Sequence, residues 1–363
     1  MAQPNAVTPA APARPLLLFA FFLLPSIMEA MKRCSSLCLA LALATAASAL
    51  GADGFTIKDT AGKHLDVLLG GKPVVRFMYA YDPATKESLH DTYKPYLHVF
   101  DPSGERLITK GPGGQFTHHR GIFIGWNKIT FGGKSYDRWH MTGGEQVVQK
   151  ILRQDATAEQ ATFTALVHWN DAAKEAFIVE ERTFIVRRTA AGNVIDFSAK
   201  LSAPRGDVQL NGDPEHAGIH FRPAGELDTK KTVYHFPAES PNAHKDTDYP
   251  WVGETFTLGG AAYSVVEMSH PKNPTGTRWS AYRDYGRFGA FPVAEIKQGG
   301  TASFNYRFLI ANGEPPAAAT INQLYTEFSG ASAPAAKVTT VPAEGAKATA
   351  PKKAEAKKKD EAK

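Results

Sequence analysis

Apolar and polar positions alternate in short runs from about Gly54 to Phe328. Val74-Val75-Arg76-Phe77-Met78-Tyr79, Gly121–Trp126, Ala161–Val167 and Thr183–Val186 are rich in β-branched and aromatic residues. So are Val194–Phe197, Ala262–Val266 and Phe304–Ile310. This composition, with a period near two, predicts strands. Asp101-Pro102-Ser103-Gly104, Gly70-Gly71 and Gly132-Gly133 supply the turn residues that join antiparallel neighbours as hairpins. About 275 residues of this kind exceed an immunoglobulin-type sandwich. The expected fold is therefore all-β: one large two-sheet antiparallel β-sandwich over residues 53–330. A short helix is expected at its C-terminal end, where Ile321, Leu324 and Phe328 fall on one helical face.

The two ends of the chain break this pattern. Met31-Lys32-Arg33, the apolar run Leu37–Ala44 and Ala47-Ser48-Ala49 have the charge, apolar core and small-residue site of a secretory signal. Residues 1–52 are therefore expected to be leader and signal peptide, with Met31 as the true start, and the protein to be exported, periplasmic or extracellular. No later run is long and apolar enough to cross a bilayer. Residues 331–363, Lys- and Ala-rich without an apolar period, are expected to be a disordered tail.

Removing the ends changes the charge and the redox chemistry. The chain carries +5 overall. Residues 1–50 hold Arg14, Lys32 and Arg33 against Glu29, and residues 331–363 hold eight lysines against four acids, which leaves −1 for the body between them. A near-neutral body gives no reason to expect nucleic acid as a partner. Cys34 and Cys38 both lie in the leader, so disulfides, thiolate catalysis and cysteine-held metals are excluded from the body.

Candidate chemistry concentrates in four places, the last of them the late run Trp279–Gly289 with its tryptophan, tyrosines and arginines. Thr117-His118-His119-Arg120 leads into the apolar run Gly121–Trp126. Asp213-Pro214-Glu215-His216-Ala217-Gly218-Ile219-His220-Phe221-Arg222 alternates, so His216, His220 and Arg222 are expected on the polar face of a half-buried strand. At about 3.3 Å per residue, His216 and His220 would be about 13 Å apart along it. Asp137-Arg138-Trp139-His140 adds a carboxylate, an indole and an imidazole. The isolated His64, His90, His168, His235, His244 and His270 read as surface or hydrogen-bonded residues, and Glu180-Glu181 as a strand-edge feature. There is no HExxH, CxxC, GxSxG or dinucleotide fingerprint.

The strings Thr117–Trp126, Asp137–His140, Asp213–Ala224 and His270–Phe291 resemble a family of exported bacterial proteins labelled methane oxygenase PmoA-like. That label names a multi-span membrane subunit, whereas this chain has no spanning run after its leader, so methane oxygenation is not expected. The family is similar in fold to the aldose-epimerase, galactose-mutarotase-like supersandwich. The resemblance implies one concave sheet lined by both histidine clusters, with imidazole as general acid and a carboxylate as general base around a sugar ring. Glu145, Glu215 and Asp137 all remain candidates for that base.

The reading that follows is a carbohydrate-active enzyme doing histidine-centred acid/base chemistry on a sugar or oligosaccharide, as epimerase, lyase or hydrolase. His118, His119, His216 and His220 are the expected catalytic residues. Arg120, Arg222, Asp137 and His140 are expected to bind substrate, and Trp139 to stack on the ring. Two alternatives stay open: a non-catalytic carbohydrate-binding module, and a metal-dependent oxidoreductase or hydrolase using the same histidines. No cofactor is expected, with a divalent metal left as an option.

Overall fold

The computed structural model describes residues 54–333 and 337–345. The leader and most of the tail lie outside the described residues. No described helix is long and apolar enough to cross a membrane.

Nine strands form the larger sheet, in the order Thr339–Pro342, Val233–Phe236, Trp251–Leu258, Ala261–Ser269, Thr301–Asn312, Gly192–Ser202, Ala176–Thr189, Gln160–Asn170, Gln146–Ala156. Six form the second: Phe55–Thr60, His64–Leu69, Lys72–Met78, Tyr96–Val99, Ile122–Trp126, Ala217–Phe221. Neighbouring strands in both pair antiparallel, as the hairpin signals require. The sheets pack face to face through large side chains. Phe77 of the six-stranded sheet lies 5.4 Å from Phe163 and 5.6 Å from Phe184 of the other. Trp126 meets Phe304 at 5.2 Å and Trp169 at 6.0 Å. All six side chains are buried, and each is worth roughly 1.5–3 kcal/mol of transfer free energy.

The helix Ala318–Ser329 forms where the apolar spacing places it. Ile321, Leu324 and Tyr325 pack on Val194, Trp251, Val266, Met268 and Leu309. Gly330 ends it in the left-handed conformation, at φ +69°, with its N–H on the Thr326 carbonyl. A second helix, Lys86–Thr92, starts at a capping box in which Thr85 and Ser88 bond each other's backbone N–H groups.

Three expectations need correction. The tail is not structureless from residue 331: Thr339–Pro342 pairs with Val233–Phe236 as the last strand of the nine-stranded sheet. Glu180 is not at a sheet edge. It is wholly buried mid-sheet, bound to Arg182 and to the Trp169 indole N–H at 2.8 Å, while Glu181 points to solvent. The strand Ala217–Phe221 is buried on both faces rather than half-buried. Strand Gly289–Phe291 covers it so closely that a β-carbon at Gly218 would collide with the Ala290 carbonyl, and one at Gly289 with the Ile219 carbonyl.

Candidate functional site

The site starts from one strand pair. Ile122–Trp126 and Ala217–Phe221 run antiparallel, with Phe123 opposite His220 and Trp126 opposite Ala217. His118 and His119 precede the first strand, and His216 precedes the second, so the register places them at opposite ends of the pair. Only because the loops bend over it do the rings of His118 and His216 come to 6.1 Å. Phe116, at φ +55°, turns the first loop.

A third loop closes the group. Arg138 donates its backbone N–H to the Trp126 carbonyl at 2.8 Å, which seats residues 137–140 against the strand. The approach requires glycine at 125, because a β-carbon there would collide with the Arg138 carbonyl oxygen. Met141 follows at φ +62°, a second non-glycine residue in the left-handed region beside the same cup. The Arg138 guanidinium is tied down by the carbonyls of Asp137, Thr142 and Asn170.

Four imidazoles thus share one cup. His118 lies 4.3 Å from His119 and 4.4 Å from His140, and His140 lies 5.0 Å from His216, between ring centres. His118, His140 and His216 are half-buried and His119 is buried. Two rings are braced identically. Asp137 bonds His140 Nδ1 at 2.8 Å, and Asp213 bonds His216 Nδ1 at 2.8 Å. Each carboxylate sits three residues before its histidine. A carboxylate on Nδ1 fixes the Nδ1–H tautomer and leaves Nε2 as an acceptor facing the cup. Asp137 also accepts the backbone N–H groups of Trp139 and His140, and Asp213 accepts from Asn127 at 2.7 Å.

The electrostatics keep the floor of the cup neutral. Burial pushes the His118 imidazole down to about 2, helped by the Lys94 ammonium and by His140 and His216. Burial and then the Arg287 charge hold His119 well below its ordinary value. Burial alone would raise Asp213, but the bonds from His216, Asn127 and the Glu215 N–H outweigh it and bring it down to about 2. Asp137 is lowered in the same way, burial being outweighed by the His140 ring and two backbone N–H groups. His118 Nε2 and both ring nitrogens of His119 are buried without a hydrogen-bond partner.

The remaining expected site residues take structural roles. His220 is wholly buried one layer beneath, with Nε2 on the Arg120 carbonyl and its ring 4.3 Å from Phe123 and 4.8 Å from Trp139. Its ring centre lies 5.7 Å from that of His119, which puts it behind the four rings rather than among them. Trp139 is also wholly buried and cannot stack on a sugar; its indole is the floor on which the rings stand. Arg120 is not a substrate ligand. It donates to the carbonyls of His90 and Asp91 at 2.5 and 2.9 Å and lies over the Tyr93 ring, anchoring the end of helix Lys86–Thr92. Arg222 is likewise buried, bonded to the carbonyls of Pro223 and Tyr285. It thereby holds Tyr285 against His119, at 6.0 Å.

Among the candidate bases, Glu145 lies elsewhere, paired with Lys174 at 2.7 Å. Glu215 stands beside His216 but binds Arg283 and the Tyr282 hydroxyl. Asp137 alone is in the cup, as the partner of His140. The sequence reading passed over Phe116, and it placed Asp213 and Tyr285 within candidate clusters without giving either a role. For Asp213 the signal was present: Asp-x-x-His occurs at 137–140 and again at 213–216.

Comparison with solved structures finds distant matches. A mutant of heparan sulfate lyase HepC from Pedobacter heparinus shares 9% identity at a TM-score of 0.39, over 72% of this chain and 37% of that one. The Slr1438 protein from Synechocystis sp. PCC 6803 shares 11% at 0.38, over 72% of this chain and 96% of that one. The GH36 alpha-galactosidase AgaB from Geobacillus stearothermophilus shares 8% at 0.38, over 72% and 41%. The chain thus spans well under half of the lyase and the galactosidase. No curated protein matches it. None of these matches bears the methane oxygenase name that the motifs suggested. A family model matches residues 64–326, and the chain belongs to that family, the family of unknown function DUF6807.

Proposed function

We propose that the protein is an exported carbohydrate-active enzyme and that the cup of His118, His119, His140 and His216 is its active site. One observation carries the reading: loops from three separate segments bend over a strand pair to bring four imidazoles together, two of them braced by carboxylates. Buried polar groups without protein partners cost stability, and His118 and His119 bring three such imidazole nitrogens together at this place. The half-buried rings of His140 and His216 can exchange hydrogen bonds and protons with sugar hydroxyls at the mouth. Asp137 and Asp213 hold those rings in one tautomer, as the third member of a catalytic triad does. The sugar substrate is supported by the resemblance to the aldose-epimerase supersandwich, and the export by the signal-like residues 31–49. The test is turnover by the purified protein on a panel of mono- and oligosaccharides, followed by epimerised, eliminated or hydrolysed product. His118→Ala with His216→Ala, both at half-buried positions, should abolish it with the fold intact. Full turnover in that double variant would defeat the assignment.

A further inference from the structure

We propose that the cup is a binding site for a divalent transition metal ion, held by His118, His119 and His216. The proposal deepens the active-site reading and rests on it for the ion's purpose, though not for its binding.

The geometry has three independent parts. First, one ligand nitrogen from each of the three histidines lies within 4.8 Å of the others. Three nitrogens at about 2.1 Å from one ion in a tetrahedral array stand about 3.4 Å apart. Small rotations of the half-buried His118 and His216 rings close that difference. Second, the donors are unengaged. His118 Nε2 and both nitrogens of buried His119 have no hydrogen-bond partner. His216 uses Nδ1 on Asp213, which leaves Nε2 as its free donor. Third, the surroundings are those of a ligand shell. An imidazole that binds a metal gives its other nitrogen to a carboxylate or carbonyl, which fixes ring and tautomer. Asp213 does this for His216 and is itself held by the Asn127 amide at 2.7 Å and the Glu215 N–H at 3.0 Å. Beneath, the wholly buried Trp139 lets no water reach the rings from below.

The donor set selects the ion. Imidazole nitrogen without a carboxylate oxygen in the set suits zinc, copper, nickel or iron(II) and not calcium or magnesium, which take oxygen. Three protein ligands leave a fourth position for water or a substrate oxygen. His140, 4.4 Å from His118 and 5.0 Å from His216, stands beside that position.

The protein is tested as purified without chelators, by elemental analysis. It is then stripped and titrated with Zn2+ by calorimetry and with Co2+ by visible absorption. The expected result is one ion per chain, with the Co2+ spectrum of a low-coordinate nitrogen site. His118→Ala should weaken binding by about 100-fold or more, and Asp213→Asn by about 10–100-fold, as loss of an outer-shell partner does. Because His119 is buried and its loss would endanger the fold, the His118 and Asp213 variants carry the test, each with a thermal melt to show that it is folded. Wild-type protein that takes up no ion, or variants that bind as tightly as wild type, would overturn the proposal. Sugar turnover that survives complete stripping would overturn the ion's part in turnover and leave the active-site reading standing. One tightly held ion with no turnover on any sugar would sustain the metal site and sink the carbohydrate reading.

Discussion

Arg120 and His118 are two residues apart, yet they show opposite fates for a polar side chain beneath a loop. Arg120 is wholly buried and its guanidinium is answered by main-chain carbonyls of helix Lys86–Thr92. His118 is half-buried and keeps an unanswered nitrogen. The same contrast separates Arg138, whose guanidinium ends on the carbonyls of Asp137, Thr142 and Asn170, from His216, which spends only Nδ1, on Asp213. A group whose donors all end on backbone is holding the fold, and a group left with a free atom at the mouth is available for chemistry. Residue type does not tell the two apart; hydrogen-bond partners together with exposure do, since the wholly buried Trp139 and His220 also keep an unpaired nitrogen.

Arg120→Met should sharpen that contrast most. It leaves the carbonyls of His90 and Asp91 without partners, so unfolding by denaturant should show a loss of roughly 3 kcal/mol. A loss under about 1 kcal/mol would mean that Arg120 does not anchor that helix. Gly125→Ala should cost about 2 kcal/mol by pushing loop 137–140 off the strand, as overpacking does, and should lower turnover with it. Wild-type stability here would show that the loop accommodates a β-carbon.

A third outcome concerns pH. His98 is held down to about 4 by burial, and then by the charges of Arg76 and Arg120, with Tyr96 and Thr109 against its ring. A depressed imidazole means that, below about 6.5, the unfolded chain takes a proton the folded chain refuses. Its contribution to stability is therefore full above about 6.5 and is lost as pH falls toward 4, at about 1.4 kcal/mol per pH unit. Denaturation midpoints between pH 7 and 4, compared with His98→Gln, should show that slope shrink in the variant. The smallest effect on stability belongs to the cup itself. Asp137→Asn keeps the oxygen that accepts the Trp139 and His140 N–H groups, so it should change stability by no more than about 0.5 kcal/mol while turnover falls. An equal fall in both would place Asp137 with the arginines, as a structural residue.

Much of this was legible in the chain. The strand pattern and turn residues imply the antiparallel sheets, and Ile321 and Leu324 imply the helix face that is buried. His118, His119 and His216 are singled out by their clustering. The roles of Arg222, His220 and Trp139 were not legible, for one physical reason. Alternation marks a half-buried strand only if one face meets water, and here Gly289–Phe291 covers the face that carries Gly218. Gly218 and Gly289 are what admit that cover, and each read alone is an ordinary turn or bulge residue. Nor can a chain reading show that loops from opposite ends of a strand pair fold toward its middle. The repeated Asp-x-x-His was the one sequence signal that joined them, because the same local bond recurs at both places.

The short strand Thr339–Pro342 also determines what the molecule presents to its neighbours. It covers Val233–Phe236, which would otherwise be an outermost strand with open N–H and carbonyl groups, the usual template for self-association. Its own outer rim ends in Pro342, which has no N–H to offer. The segment just beyond, Glu344, bonds Tyr282, Asp284 and His244, so this cover is latched to the loop that carries Arg283 and Tyr285. A chain cut after Gly330 should therefore keep its sandwich but become sticky, forming oligomers through Val233–Phe236, whereas one cut after Gly345 should stay dispersed.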